Sequence, residues 1–414
     1  MKNQKSLSLF FLWIITIHSL TSCQSVPRSS VNPALEFTDF EINKIQQNGS
    51  QSVLFQARSA VWPEVKYQDI KPLSFHPTAS SPLRIAILGD TGCRLKENKG
   101  QPFYQNCQSK EEWPYPEVVK TIAQEPYDFA IHTGDYHYRE QCSDPKKCPQ
   151  LSRSLGYGWL AWWDDFYQPT QPLFKKSPIL FVRGNHEDCQ RAFSGWGPLS
   201  VLQKKFEDSC QEIEPYQWIE IEDLVLINFD DSAFDDRSAW SELDQKKWLS
   251  ILSELADRAR SLNGKKEIWF LAHKPVFGFV PSREDAEPQV INENLKKLMI
   301  QSKLVKEIDY FQSGHIHNQQ VARDPQGPLQ VIVGHTGTSL DPFGRKILTD
   351  QIVTTTESKS SFGYAIFERI GFKKWNWIFK NQQGRPELIC QVQAQKTQCD
   401  FPSALTAEGA TSQP

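Results

Sequence analysis

The chain has 414 residues, and 12% of them are aromatic, including 13 Trp and 25 Phe. That much apolar material supports one large or two medium packed domains and excludes a disordered protein. The formal net charge is −3 and no basic block is present to track a phosphate backbone, so no nucleic-acid partner is expected.

At the amino end, MKNQKSLSLFFLWIITIHSLTSC carries Lys2 and Lys5 ahead of an apolar run from Leu7 to Ile17. The run is short for a membrane span and has the layout of a secretory leader. Leu20-Thr21-Ser22-Cys23 resembles the lipobox of bacterial lipoproteins. The resemblance implies that residues 1–22 are a leader and that Cys23 is the lipidated first residue of an exported protein. Its body would then stand on the periplasmic or cell-surface side of a membrane. An ordinary secretory signal is the alternative. Eight further cysteines follow: Cys93, Cys107, Cys142, Cys148, Cys189, Cys210, Cys390 and Cys399. An even number in an oxidising compartment predicts disulfides. Many connectivities are possible; sequence neighbours give the simplest set, 93–107, 142–148, 189–210 and 390–399. No CxxC pair supports zinc binding instead.

Residues 23–80 are rich in Ser, Pro and Asn, with short apolar patches such as SVLFQA. They read as a tether with a strand or two that pack on the main domain, which is expected over 81–400. From Leu83 onward, apolar runs alternate with helical patterns: LRIAILGD, PYPEVVKTIAQ, DFAIHTGD, GWLAWWDDFY and PILFVRGNHE. Short runs bounded by Gly and Asp predict buried strands joined by crossover helices, an α/β chain. YQWIEIEDLVLINFD predicts a hairpin. In ELDQKKWLSILSELADRA, Trp248, Ile251, Leu252, Leu255 and Ala259 recur at helical spacing. EIWFLAH, DYFQSGH, LQVIVGH and FGYAIFERI predict further strands, and KKWNWIFK alternates with period two. The tail 401–414, FPSALTAEGATSQP, is expected to be disordered.

Five predicted strands end alike. Gly89-Asp90-Thr91-Gly92, Gly134-Asp135-Tyr136-His137-Tyr138, Gly184-Asn185-His186-Glu187, Ala272-His273 and Gly314-His315-Ile316-His317 each close an apolar run. Ligands bind beyond the carboxyl ends of strands in such sheets, so these ends are candidates to converge.

The set resembles the calcineurin-like metallophosphoesterase superfamily, from about Leu83 to at least Ile332. The resemblance implies two facing mixed β-sheets flanked by helices, an αββα sandwich, with a two-metal site at the strand ends. The general pattern begins with Asp-x-His, but Gly92 stands at the histidine position here. The pairing of GDTG with GDYHY is similar to purple acid phosphatases, in which a tyrosinate binds ferric iron; Tyr138 is placed to take that role. By this resemblance Asp90, Tyr138 and His317 would hold Fe(III), Asn185, His273 and His315 would hold a divalent ion (zinc, iron or manganese), and Asp135 would bridge both. A hydroxide on or between the metals would attack phosphorus opposite the leaving group, and His186 would contact the phosphate or protonate the leaving oxygen.

The implied function is hydrolysis of small-molecule phosphate monoesters. A di-zinc or di-manganese phosphodiesterase or nucleotide hydrolase is the alternative within the superfamily, and a non-catalytic partner-binding lipoprotein the alternative outside it. No particular protein partner is inferable. Among the remaining histidines, His132 reads as a core residue, His137 as either lining the cleft or facing solvent, and His335 as a candidate substrate contact. Arg183 reads as a surface ion pair that could otherwise steady a phosphate, and Trp159, Trp162 and Trp163 as a buried helical face. The 60 or so residues before Leu83 are too few for the β-sandwich of about 100 residues that plant-type relatives carry. Cys93 and Cys189 directly follow two of the motifs, and bridges from them would staple the loops of the site. Segments 93–113, 139–156 and 277–290 are the expected determinants of substrate choice.

Overall fold

In the computed structural model, the described residues are 40–47, 50–57, 82–98, 101–142, 148, 155–197, 199, 210–235, 238, 240–281, 288–323, 327–341, 352–355, 361–394 and 396–400. The expected leader (1–22), Cys23, most of the expected tether (23–80) and the tail 401–414 lie outside them. Two large sheets carry the architecture. One has nine strands in the order Phe40–Gln47, Ser50–Ala57, Ile179–Phe181, Phe129–His132, Arg84–Leu88, Gly363–Gly371, Lys374–Asn381, Pro386–Gln393 and Lys396–Asp400. The other has seven, in the order Ile352–Thr355, Gln319–Arg323, Leu329–Val333, Tyr310–Ser313, Glu267–Leu271, Leu224–Asn228 and Gln217–Ile221.

Side-chain alternation along the central strands builds three apolar layers. Ile85 and Ile87 join Phe129, Ile131, Trp269, Val331, Phe367 and Trp377 between the two sheets. Their neighbours Ala86 and Leu88 face the other way, onto Val118, Ile122, Leu173 and Phe174 of the helices Tyr115–Gln124 and Gln168–Lys176. On the second sheet, Ile268 and Phe270 pack outward on Leu252 and Leu255 of Glu242–Ser261 and on Leu298 of Glu293–Gln301. Strands covered on both faces read as continuous apolar runs, as RIAIL and EIWFL do. The architecture is the expected αββα sandwich.

Register explains why the motifs come together. In the first sheet three parallel strands stop in step, with Leu88 beside His132 and His132 beside Phe181. In the second, Leu271 pairs with both Asn228 and Gln312, and Ser313 pairs with Ile332. Each motif begins within a few residues of these partners, at the same end of its sheet.

Several expectations are refined. GWLAWWDDFY is helical from Trp159 onward but not uniformly α: Trp159–Trp162 is α-helical, Trp163–Tyr167 widens to a π-turn, and α-helix resumes at Gln168. Trp162 is fully buried and Trp163 half-buried. The segment 93–113 contains the short antiparallel pair Leu95–Asn98 and Gln101–Tyr104, and 277–290 contains Phe279–Pro281 paired with Pro288–Val290. Strands Gln319–Arg323, Pro386–Gln393 and Lys396–Asp400 were not singled out by the sequence pattern. Ahead of the motifs, Phe40–Gln47 and Ser50–Ala57 form a hairpin whose second strand pairs with Ile179 through Phe55. All four sequence-neighbour disulfides form, 93–107, 142–148, 189–210 and 390–399. Among the described residues no helix is long and apolar enough to cross a membrane.

Candidate metal centre

The strand-end turns deliver their side chains under backbone constraint. Asp90, Asp135 and His315 all adopt left-handed backbone, with φ of 54°, 55° and 69°. Side chains rarely take this conformation, and it persists where surrounding contacts fix it. Gly134 has φ 107°, and a Cβ there would lie 2.3 Å from the His273 ring. Only glycine lets the second motif turn this close to the fourth.

Asp135 lies at the centre. Its Oδ1 accepts the His186 amide at 2.9 Å, its Oδ2 accepts the Tyr138 hydroxyl at 2.6 Å, and His273 Nε2 stands 3.1 Å from Oδ2. The phenol oxygen of Tyr138 is also 3.3 Å from Asp90 Oδ1 and 3.0 Å from His317 Nε2. Asp90 accepts the His315 amide on both oxygens, at 3.2 and 3.0 Å. The Tyr138 hydroxyl therefore sits in the pocket formed by Asp90, Asp135 and His317.

Gly92 explains how it gets there. A Cβ at that position would stand 2.6 Å from the Tyr138 amide nitrogen and 2.9 Å from the Tyr136 carbonyl. The tyrosine loop runs through the space that a side chain at 92 needs.

The imidazoles are aimed by their distal nitrogens. His273 Nδ1 donates to the Thr133 carbonyl at 2.8 Å, and His317 Nδ1 to the Ser339 carbonyl at 2.9 Å, which turns both Nε2 lone pairs toward the carboxylates. Ligand atoms of Asp135, His273 and His315 lie within 4.8 Å of one another and could hold a cation. Asn185 opens the turn Asn185–Glu187 packed on Asp135. Asn185 Oδ1 and His273 Nε2 are buried with no hydrogen-bond partner among the described residues. The orphaned Asn185 oxygen, beside carboxylates and imidazoles that crowd one another, fits a cation.

Electrostatics agree. Burial, then Asp135 and Asp90, hold the Tyr138 phenol well above its ordinary value. Burial opposes charging of His273, yet the surrounding carboxylates push it up to about 10. The pocket carries excess negative charge.

Around it lie groups that the sequence did not announce. Glu187 accepts the amides of Gly184, Asp135 and Tyr136 at 3.1, 3.1 and 2.9 Å, and burial followed by Asp135 raises it to about 8. It belongs to the quoted GNHE motif, but two of its three backbone partners lie 52 and 51 residues earlier, in the motif after the neighbouring strand Phe129–His132. His186 lies against Tyr138, with ring centroids 3.9 Å apart, and its Nδ1 is 2.6 Å from Glu140, which also binds Arg191. Burial lowers His186 to about 4. Glu140 falls to about 2 because His186, Arg191 and Lys96 together outweigh its burial.

Other sequence candidates settle elsewhere. His132 is a satisfied core histidine, accepting the Gly134 amide at Nδ1 and bonding Thr91 through Nε2. His137 neither lines the cleft nor faces solvent; it is buried, and Nε2 donates to the Gly156 carbonyl at 2.8 Å. Arg183 is buried rather than on the surface, and pairs with Asp230 at 3.1 Å beneath the 189–210 disulfide. His335 is buried with both ring nitrogens lacking a hydrogen-bond partner among the described residues, and burial lowers it to about 3.

Residues 83–319 match the family described as calcineurin-like phosphoesterase. The chain belongs to that family. The chain is also similar to an Arabidopsis thaliana protein described as probable inactive purple acid phosphatase 24, at 24% identity over 296 residues, 65% of this chain and 43% of that protein. It thus spans less than half the length of that curated relative. A purple acid phosphatase isolated from yellow lupin (Lupinus luteus) seeds aligns at 18% identity with a TM-score of 0.48, over 75% of this chain and 53% of that one. PhoD aligns at 12% identity with a TM-score of 0.52, over 87% and 76%, a likeness of fold.

Proposed function

We propose that this phosphoesterase is an exported, lipid-anchored phosphatase that hydrolyses phosphate monoesters at a dinuclear Fe(III)–M(II) centre. The observation that carries the reading is the Tyr138 phenol oxygen lying 2.6 Å from Asp135, 3.0 Å from His317 and 3.3 Å from Asp90. Phenolate and carboxylate oxygens suit a hard ferric ion, while imidazole and amide suit a borderline divalent one. Asp90, Tyr138 and His317 would hold the first, Asn185, His273 and His315 the second, and Asp135 both. Bound there, the metal pair supplies Lewis-acid polarisation of the phosphoryl group and activation of water. Exchanging a neutral histidine for a phenolate adds one negative charge, which the ferric ion offsets, so an anionic ester is still attracted.

The chain's own residues do the rest. Glu140 and Arg191 hold the His186 ring, and Nε2, 3.2 Å from Arg191 Nη2 and 3.8 Å from Asp135 Oδ2, would carry a proton to the departing oxygen. Such transfer contributes about 10²–10⁴-fold. Burial lowers His186 to about 4, so the ring is neutral in mild acid before a substrate oxyanion or a leaving group draws a proton to it. Residues 1–22 as leader, Cys23 as the acylated residue, 23–80 as tether, 81–400 as catalytic domain and 401–414 as tail complete the reading. Four disulfides support an oxidising compartment.

The visible spectrum of the purified holoprotein tests the centre. A broad tyrosinate-to-iron band is expected, and a colourless protein after oxidation rejects the iron assignment. Hydrolysis of p-nitrophenyl phosphate against its bis-ester, with metal content measured on the same sample, separates monoesterase from diesterase. For the anchor, Cys23→Ala should move the protein from the membrane to the soluble fraction; unchanged membrane retention rejects it.

A further inference from the structure

The tyrosine loop is held by a buried carboxylate outside every motif. Asp165 lies in the π-turn Trp163–Tyr167 and is fully buried. Its Oδ1 accepts the Cys93 amide at 2.7 Å and Arg139 Nε at 3.0 Å. Its Oδ2 accepts the Tyr138 amide at 2.7 Å, and His137 Nδ1 stands 3.3 Å from it. One carboxylate thus ties two loops. Cys93 follows Asp90 by three residues on the first, and Tyr138 lies on the second. A Cβ on Gly92 would come within 2.8 Å of the same Oδ2. The glycine, the carboxylate and the tyrosine loop therefore share one tightly filled space.

A role confined to stability explains this poorly. Taking a carboxylate fully out of water is costly and is offset here by four partners. Arg139 alone would neutralise the charge, yet each oxygen is spent on a backbone amide of a different site loop. Single π-turns inside α-helices are frequent at functional sites, where they redirect a side chain.

We propose that Asp165 is a positioning residue, which sets the Tyr138 phenol against the Asp90 and Asp135 carboxylates by fastening both loops to one side chain. The value of the phenol as a ligand rests on the tyrosinate reading above; the positioning itself does not. Asp165→Asn keeps the volume but leaves only one accepting oxygen, so one loop amide loses its partner.

In the full-length holoprotein, Asp165→Asn is expected to weaken Fe(III) binding by about 10–100-fold and to shift or weaken the visible band per bound iron. Divalent metal content should stay at the wild-type level. A lower melting temperature with unchanged iron affinity and band overturns the proposal. A crystal structure of the metal-free variant gives a readout that does not need iron. The Tyr138 hydroxyl should leave its 2.6 Å contact with Asp135; if that contact stays, Asp165 does not position the phenol. A wild-type protein without the band sinks the iron assignment and leaves this coordinate test standing. Should Asp165→Asn fail to accumulate, Asp165→Glu keeps the charge but carries both accepting oxygens one methylene further out. It should weaken iron binding in the same direction, and unchanged iron affinity and band would count against the proposal.

Discussion

The two halves of the site are built on different principles. In the tyrosine half the polar groups close on one another: the Tyr138 hydroxyl contacts two carboxylates and an imidazole, and Asp90 takes two contacts from the His315 amide. In the histidine half, Asn185 Oδ1 is buried without a hydrogen-bond partner among the described residues, and His273 Nε2 stands 3.1 Å from Asp135 Oδ2. The first half can keep its geometry through hydrogen bonds alone. The second is open to a cation, because the buried Asn185 oxygen costs free energy unless something satisfies it. Asp135 belongs to both.

Asp135→Ala should erase the distinction. Both metals are expected to be lost, and kcat/KM for an aryl phosphate to fall by at least about 10³-fold, the scale of removing one preorganised group from a transition state. Retention of either metal at full stoichiometry would show that the halves do not share this carboxylate. Next in size is a matched pair of variants. His273→Ala should empty the divalent half and preserve colour, while Tyr138→Phe should abolish the band and cost on the order of 100-fold in iron affinity. Metal analysis of both proteins checks this; a loss of both ions in each variant would mean that the halves are one cooperative unit.

Smaller effects sharpen the contrast in stability. The Cys93–Cys107 bridge closes a separation of 14 residues beside the tyrosine half. Replacing both cysteines by serine should cost about 3 kcal/mol on the chain-entropy account, measured by denaturant unfolding. Metal content should also fall in this variant and not in the matching Cys390–Cys399 variant; an equal fall in both would argue against local stapling. Gly92→Ser should destabilise by about 1–3 kcal/mol, because its Cβ meets the Tyr138 and Tyr136 backbone. A thermal melt unchanged from wild type would show that the tyrosine loop can yield.

Much of this was legible beforehand because its code is local. Apolar runs such as RIAIL and LQVIV declare buried strands, and a polar pair after each run declares a functional strand end. The missing histidine at Gly92 and the extra tyrosine at 138 could be weighed together for the same reason. Asp165 could not. Its position within a tryptophan-rich helical stretch gave no hint that it would bond Cys93 and Tyr138, which lie 72 and 27 residues earlier. His137 and Arg183 were misjudged likewise, since their burial follows from segments that pack over them.

The sequence by itself determined the strand and helix pattern, the family resemblance and the residue types available at each strand end, because period, turn chemistry and motif spacing act between near neighbours. The tertiary structure alone decided that those ends stop in register, that the tyrosine loop fills the space beside Gly92, and that one buried carboxylate ties both loops. Such contacts depend on which strands pair and which helix packs over them, and that choice is made by burial summed over the whole domain.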